Sequence, residues 1–266
     1  MRAARQPGEL PPLPVAAVQL WEPYVLNARR VLVLSDLHLP YQDTAALDSA
    51  LAFGDEFQPD AVLLNGDVFD FYAISRFDKD PTKPKISAEL EAGKLFFTHL
   101  RARYPKAKLV FKLGNHDERW DIYLARAAPV LFDMPEVRNV WHELAGLPQN
   151  RVTVIGDKRP IMLGKLMVLH GHEKGHGISS PVNQARGAFL RLLCSALEGH
   201  GHRQSVHTER TADDKVITNW STGCLCDKRP EYARFNKWSS GFATVTVEKD
   251  GNFEVSLKQI IDGRIF

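Results

Sequence analysis

Five short polar clusters punctuate the chain between residues 36 and 202, and each holds a side chain with a lone pair to offer a metal ion. They are Asp36-Leu37-His38, Gly66-Asp67-Val68-Phe69-Asp70, Gly114-Asn115-His116-Asp117, His170-Gly171-His172 and Gly199-His200-Gly201-His202. Carboxylates, an amide and imidazoles together suit hard-to-borderline divalent ions. A carboxylate such as Asp67 has two oxygens and can bridge a pair of ions about 3.5–4 Å apart. On extended chain, Asp-x-His and His-x-His place both side chains on one face, because the strand period is two. On that geometry Asp36 and His38 hold one ion together, while His200 and His202 serve one ion each. Two dications bring four positive charges; Asp36 and Asp67 return two and a bridging hydroxide one, leaving roughly one positive charge if the other ligands are neutral. That surplus attracts a phosphodiester monoanion, and the ions bring the pKa of bound water from ~15.7 toward neutrality. Taken singly, each cluster is ordinary turn chemistry. Five in order point to a site.

The elements between the clusters show how they could converge. Val31-Leu32-Val33-Leu34, Ala61-Val62-Leu63-Leu64, Leu109-Val110-Phe111 and Leu166-Met167-Val168-Leu169 are short continuous apolar runs, the pattern of strands buried on both faces. Each runs directly into one of the first four clusters. Apolar residues at 46, 47, 50, 51, 53 and 57 predict a helix over 44–57, and composition predicts another over 86–104, stopped by Pro105. Strand–helix–strand alternation implies α/β layering, in which ligands bind beyond the carboxyl ends of the strands. In the last third, Val216 to Thr218, Phe242 to Val247 and Phe253 to Ile260 read as strands, with Asp250-Gly251 as the hairpin turn between the last two. These predict a second sheet packed on the first. Residues 71–85 and 118–165 read as insertions that wall the site. Pro7, Pro11, Pro12, Pro14 and Pro23 make residues 1–28 an irregular extension, tacked down by Trp21 and Tyr24, ahead of one domain over 29–266.

With these clusters in this order, the chain resembles the calcineurin-like metallophosphoesterase superfamily, whose motifs run D-x-H, G-D-x-x-D, G-N-H-D/E, H and G-H-x-H. The resemblance implies a four-layer α/β/β/α sandwich of two mixed sheets flanked by helices. Position by position, it implies one metal on Asp36, His38 and His202, a second on Asn115, His170 and His200, and Asp67 as the bridge. In the fourth cluster His170 and His172, two apart on one face, could each ligate; the family's ligand is the His that ends the strand, which makes His170 the expected one, with His172 and Asp70 supporting ligands from behind. It also implies that His116 contacts the phosphate and serves the leaving oxygen, with Asp117 orienting His116 or shaping the loop. A softer likeness, to members of the superfamily met in phage and prophage genomes, rests on Gly114 to Trp120, Ala185-Arg186-Gly187 and Trp238 to Phe242. Asp36 to Leu39 resembles the lipid A precursor hydrolases of the superfamily, which carry Arg where His116 stands here.

Composition narrows the classes. Hydrophobic residues at 44% and charged residues at 25% exclude wholesale disorder. A formal charge of +2 gives no global pull toward polyanions, so any basic patch is local. Three Cys make no disulfide framework, and Cys224-x-Cys226 has neither zinc nor redox spacing; reduced structural thiols are expected. No apolar run approaches the roughly 18 residues of a membrane span, and the Arg- and Pro-rich start does not read as a secretory leader. The expectation is a cytoplasmic enzyme with no membrane partner. Its cofactors are two divalent transition-metal ions, with Mn the leading expectation and Fe, Zn, Ni or Co also suited to these donors. Its partner is a phosphoester substrate, a nucleotide or nucleic acid included. Arg119 and Arg203 flank ligand clusters and could clamp a phosphate oxygen, as could Arg186. Phe69, Phe71, Tyr72 and Phe77 suit core packing or a wall for a base. His99 and His142 read as surface or structural; His176 and His207 lie near the clusters. The leading function is phosphodiester hydrolysis. A nuclease acting on DNA or RNA ends competes within the enzyme class, and a non-catalytic metal-binding scaffold for protein partners competes from outside it.

Overall fold

The computed structural model describes residues 14–17, 22–175 and 182–266. Trp21 and His176 fall outside these.

The strands are β1 (Tyr24–Val25), β2 (Arg30–Leu34), β3 (Ala61–Asn65), β4 (Lys108–Lys112), β5 (Val152–Ile155), β6 (Ile161–Leu163), β7 (Leu166–Val168), β8 (Ala196–Glu198), β9 (Gln204–Arg210), β10 (Val216–Thr222), β11 (Ser240–Val247), β12 (Phe253–Ile261) and β13 (Arg264–Ile265). The helices are α1 (Thr44–Phe57), α2 (Ile86–Arg103), α3 (Arg119–Ala127), α4 (Pro129–Phe132), α5 (Pro135–Arg138), α6 (Val140–Leu144) and α7 (Gln184–Leu192). Asp43 caps α1 by accepting from Ala46 N at 3.0 Å, and Asn183 caps α7 by accepting from Arg186 N at 2.9 Å, each satisfying an amide the helix leaves unpaired.

Two mixed sheets result. The first runs β13-β12-β11-β2-β3-β4-β5, with β2 to β5 parallel; the second runs β1-β6-β7-β8-β10-β9. Alternate residues of the same strand serve different layers. Leu32, Leu34, Val62, Leu64, Leu109 and Phe111 face α1, α2 and Trp141 of α6, whereas Val31, Val33, Leu63 and Val110 face the second sheet's Ile161, Leu166, Val168 and Leu197. This period-two split across two apolar layers is why the early strands read as unbroken hydrophobic runs. Helix α7 covers the outer face of the second sheet through Ala185 and Ala188. The layering is therefore helix, sheet, sheet, helix, the α/β sandwich expected. Among the described residues no helix is long and apolar enough to cross a membrane.

The strand assignment differs from expectation in three places. The C-terminal hairpin β11–β12 does not build the second sheet: β11 pairs antiparallel with β2, Val245 opposite Val31, and extends the first. Of the late strands only β9 and β10 join the second sheet, beside β8. Residues 118–165 are not a mere insertion, since β5 closes one edge of the first sheet and β6 sits inside the second. Within the stretch read as irregular, Tyr24 and Val25 pair with Ile161 and Met162, and Leu26 is buried between the sheets.

Candidate metal centre

All five clusters meet at the carboxyl ends of β2, β3, β4, β7 and β8, but not by the backbone geometry the spacing implied. Asp36 (φ 56°), His38 (φ 51°), Asp67 (φ 51°), His200 (φ 66°) and His202 (φ 55°) are all left-handed. Strand β2 has ended at Leu34, so Asp36 and His38 converge through a tight loop, not through strand alternation. Left-handed backbone at a non-Gly residue costs about 1–3 kcal/mol. Five such residues persist because hydrogen bonds hold the loops: Asp36 N donates to Gly66 O at 3.1 Å, and His38 N to Asp67 O at 2.9 Å. The motif glycines follow from close approach. A Cβ at Gly66 would strike His170 Nδ1, and one at Gly114 would strike Asp67 Oδ1.

Asp67 lies at the centre. Its Oδ2 is 3.2 Å from His170 Nε2 and 3.8 Å from His38 Nε2, while its Oδ1 accepts from His116 N at 2.8 Å. Asn115 Oδ1 is also 3.2 Å from His170 Nε2, and the His200 ring centroid is 5.1 Å from that of His170. On the other side, His202 Nε2 is 3.1 Å from Asp36 Oδ1 and 3.2 Å from His38 Nε2. Asp36, Asp67, His38, His170 and His202 are buried, Asn115 is half-buried and His200 is exposed.

The partners behind the imidazoles decide which nitrogens carry protons. His170 Nδ1 donates to the Asn65 carbonyl at 2.8 Å, and His38 Nδ1 donates to Asp70 Oδ1 at 3.1 Å. Both Nε2 atoms therefore turn lone pairs toward the carboxylate of Asp67. Bare acceptors facing one another at 3.2–3.8 Å repel unless a cation or a proton lies among them, and this donor set fits divalent transition ions. The charges say the same. Burial opposes ionisation of Asp36, yet His202 holds its carboxyl at about 2. Burial likewise opposes a charge on His170, but Asp67 and Asp36 together push it up to about 10. The buried carboxylates thus draw positive charge to the centre.

Several roles fall differently from expectation. Asp117 does not reach His116: its carboxylate accepts from the backbone N–H of Asp67, Gly114 and Phe69 at 2.8, 2.8 and 3.0 Å. It shapes the loops, the second of the two roles expected for it, and Asp70 Oδ1 instead receives both His116 Nδ1 at 2.9 Å and His38 Nδ1. His172 Nε2 faces Glu118 at 3.2 Å and its Nδ1 lies 3.6 Å from Glu173, with its ring 5.4 Å from that of His170. Arg119 lies at the centre, donating to the Asp70 carbonyl at 2.6 Å and to His116 Nε2 at 3.0 Å. Arg203 is half-buried beside His202, its carbonyl accepting from Ser221 Oγ at 2.7 Å; Arg186 is exposed on α7. Phe69 and Phe71 are core, whereas Phe77 is exposed. His207 faces Glu209 on β9.

Three supports lacked a sequence signal. Cys226 Sγ lies 3.9 Å from His202 Nδ1, within ligand reach of His38 and His202. Ser35 Oγ donates to Asp36 Oδ2 at 2.6 Å. Glu173 accepts from His170 N at 3.1 Å and Gly171 N at 2.6 Å, and is paired at 2.7 Å with Lys112, a lysine with no exposed surface. The chain order Cys224-x-Cys226 gave only small hydrophobes, and a lysine at the end of an apolar strand reads as a charge reaching water.

The model of the calcineurin-like phosphoesterase family matches residues 29–220. The chain is 30% identical over 249 residues to the Gene 54 protein of Mycobacterium phage D29, covering 89% of this chain and 96% of that protein. It is 28% identical over 249 residues to the Gene 54 protein of Mycobacterium phage L5, with the same coverage of each. Among solved structures, Vacuolar Protein Sorting 29 from Cryptosporidium parvum aligns at a TM-score of 0.46 and 15% identity, over 90% of this chain and 95% of that one.

Proposed function

Because the chain belongs to the calcineurin-like phosphoesterase family, we propose that it hydrolyses a phosphodiester at two divalent transition-metal ions. Asp36, His38 and His202 hold one ion, Asn115, His170 and His200 the other, and Asp67 serves both. The observation that carries this reading is the Asp67 carboxylate, one oxygen set between His170 Nε2 and His38 Nε2 at 3.2 and 3.8 Å. Such ions, when bound, neutralise phosphate charge and make water a nucleophile near neutral pH.

The chain's own residues do the rest. His116 is fixed by Asp70, which accepts from its Nδ1 and leaves Nε2 facing the phosphate. Burial works against the Asp70 charge, but His116 and His38 hold its carboxyl well below the usual range. An ionised Asp70 pairs with the imidazolium of His116, which passes its Nε2 proton to the departing alkoxide and returns to neutral. Arg119, now on His116 Nε2, receives a non-bridging phosphate oxygen and frees that nitrogen. The complete ligand set weighs against a non-catalytic scaffold.

The test is turnover of bis(p-nitrophenyl) phosphate against p-nitrophenyl phosphate, with Mn, Fe, Zn, Ni or Co restored to chelated protein. The diester is expected to turn over faster, with Mn the strongest activator. Failure of every ion to support turnover of either ester removes the reading.

A further inference from the structure

The strongest unexplained feature borders the metal centre. Between Asp227 and Trp238 stand four Lys or Arg residues (228, 229, 234, 237) against two acids (227, 231), a basic excess the near-neutral whole chain conceals. Lys228, Arg229, Arg234, Phe235, Asn236 and Trp238 line an open cavity of about 870 Å³, near the top of the ~300–1,000 Å³ range of small-molecule sites.

The aromatic rings here form a graded series leading away from the metal ligands. Trp238 packs edge-on against the His202 ring at 4.1 Å between centroids, and Tyr232 lies 6.3 Å from Trp238. Trp238 is half-buried, Tyr232 is 79% exposed and the side chain of Phe235 is wholly in water. The segment is held in shape: Asn236 Nδ2 donates to the carbonyls of Lys228 and Ala233, both at 2.6 Å, and its Oδ1 accepts from Trp238 N at 2.8 Å. Lys83 pairs with Glu231 at 3.2 Å and ties it to the 71–85 segment, where Phe77 is 61% exposed beneath Arg76. Exposed rings interleaved with cations fit a ligand that alternates π-faces with negative charge. Single-stranded nucleic acid is that ligand, since its unpaired bases can stack and its backbone is a phosphodiester. A duplex keeps its base faces covered.

Resting on the phosphoesterase reading above, we propose that residues 228–238 bind single-stranded nucleic acid and present its backbone to the metal centre past Trp238. The probe is fluorescein-labelled ten-residue oligothymidylate, followed by anisotropy with full-length protein in chelator across a salt series. Saturable binding is expected, at least tenfold tighter than for a duplex of equal length or for thymidine monophosphate. Arg229→Ala with Arg234→Ala should weaken it at least tenfold and flatten the logarithmic salt slope by about 1.4, two phosphate contacts at ~0.7 each. Phe235→Ala should weaken binding about five- to a hundredfold with the slope unchanged. A purely electrostatic surface would not respond to Phe235. Melting temperatures equal to that of the wild type confirm folding of these exposed-site variants, and the wild-type comparison of single strand, duplex and mononucleotide stands without them. No saturable strand binding, equal binding of duplex, or indifference to Phe235→Ala overturns the proposal. Wild-type turnover of bis(p-nitrophenyl) phosphate separates the two readings: turnover without strand binding removes only this inference, and strand binding without turnover removes the role of the strand as substrate.

Discussion

The two sheets arm the centre with different chemistry. Loops of the seven-stranded sheet bring two carboxylates, an amide and one imidazole (Asp36, Asp67, Asn115, His38), whereas loops of the six-stranded sheet bring three imidazoles and no negative charge (His170, His200, His202). Each proposed ion takes ligands from both. The acid–imidazole contacts across the divide are His170 to Asp67 and His202 to Asp36, at 3.2 and 3.1 Å, beside neutral ones such as His170 Nδ1 to the Asn65 carbonyl at 2.8 Å. Ions at the centre would therefore be staples between sheets as well as catalytic groups, their binding adding to the stability of the sandwich.

The largest expected effect follows from removing the charge that both halves share. Asp67→Asn should lower turnover by ~10³ or more, since several kcal/mol of charge stabilisation at 1.36 kcal/mol per decade is at stake. Metal analysis should show fewer than two ions per chain. A variant retaining both ions and full activity would end the idea that Asp67 joins the two sheets' sites. His116→Ala should cut turnover by about 10²–10⁴ while both ions stay bound; loss of metal together with activity would mean that His116 is part of the cage.

Chelation tests the staple directly. At concentrations a hundredfold above Kd each ion is worth about 2.7 kcal/mol, so removing two should lower the melting temperature by roughly 10–20 °C at 2–4 °C per kcal/mol. An unchanged melting temperature would show that the sheets hold together without help at this edge. On the imidazole side alone, Glu173→Gln leaves Lys112 buried without its charge partner, a change worth about 3–5 kcal/mol. It should also free the His170 backbone, so that the His170 ion is lost before the His38 ion on titration with chelator; simultaneous loss of both would deny Glu173 any positioning role.

The comparison also shows what can be read from a chain. The side chains that gather at the centre were readable because few residue types bind metals and each sits where an apolar strand ends. Sheet membership was not: β11 joins the first sheet through pairing with β2, some two hundred residues earlier, and nothing local in Phe242 to Val247 encodes its neighbour. The left-handed backbone at Asp36, His38, Asp67, His200 and His202 was hidden for a related reason. These residue types say what is bound, while long-range amide contacts set the φ angle. Of the two roles open to Asp117, shaping the loop is the one its contacts fit; the sequence could not choose, because adjacency to His116 in the chain is not adjacency in space, and Asp70, arriving from the end of another strand, is the neighbour of His116 Nδ1.

The smallest expected effect lies outside both sets of ligands. His142 is partly covered in α6, its ring 4.1 Å from that of Trp141, and burial lowers its pKa from 6.5 to about 4. A histidine depressed in the folded state takes up its proton more readily when unfolded. Its neutral form therefore favours folding fully above pH 6.5, and that stability is lost as pH falls from 6.5 through about 4. At 1.36 kcal/mol per unit the ceiling is about 3 kcal/mol, and the ring's partial exposure brings it to roughly 1–2. His142→Phe should flatten the acid limb of the urea-unfolding profile measured between pH 4 and 6.5. The same slope should survive in Asp67→Asn and in chelated protein, because nothing in it depends on the ligands between the sheets. A slope that disappears on chelation would place acid sensitivity at the metal centre and leave His142 a bystander.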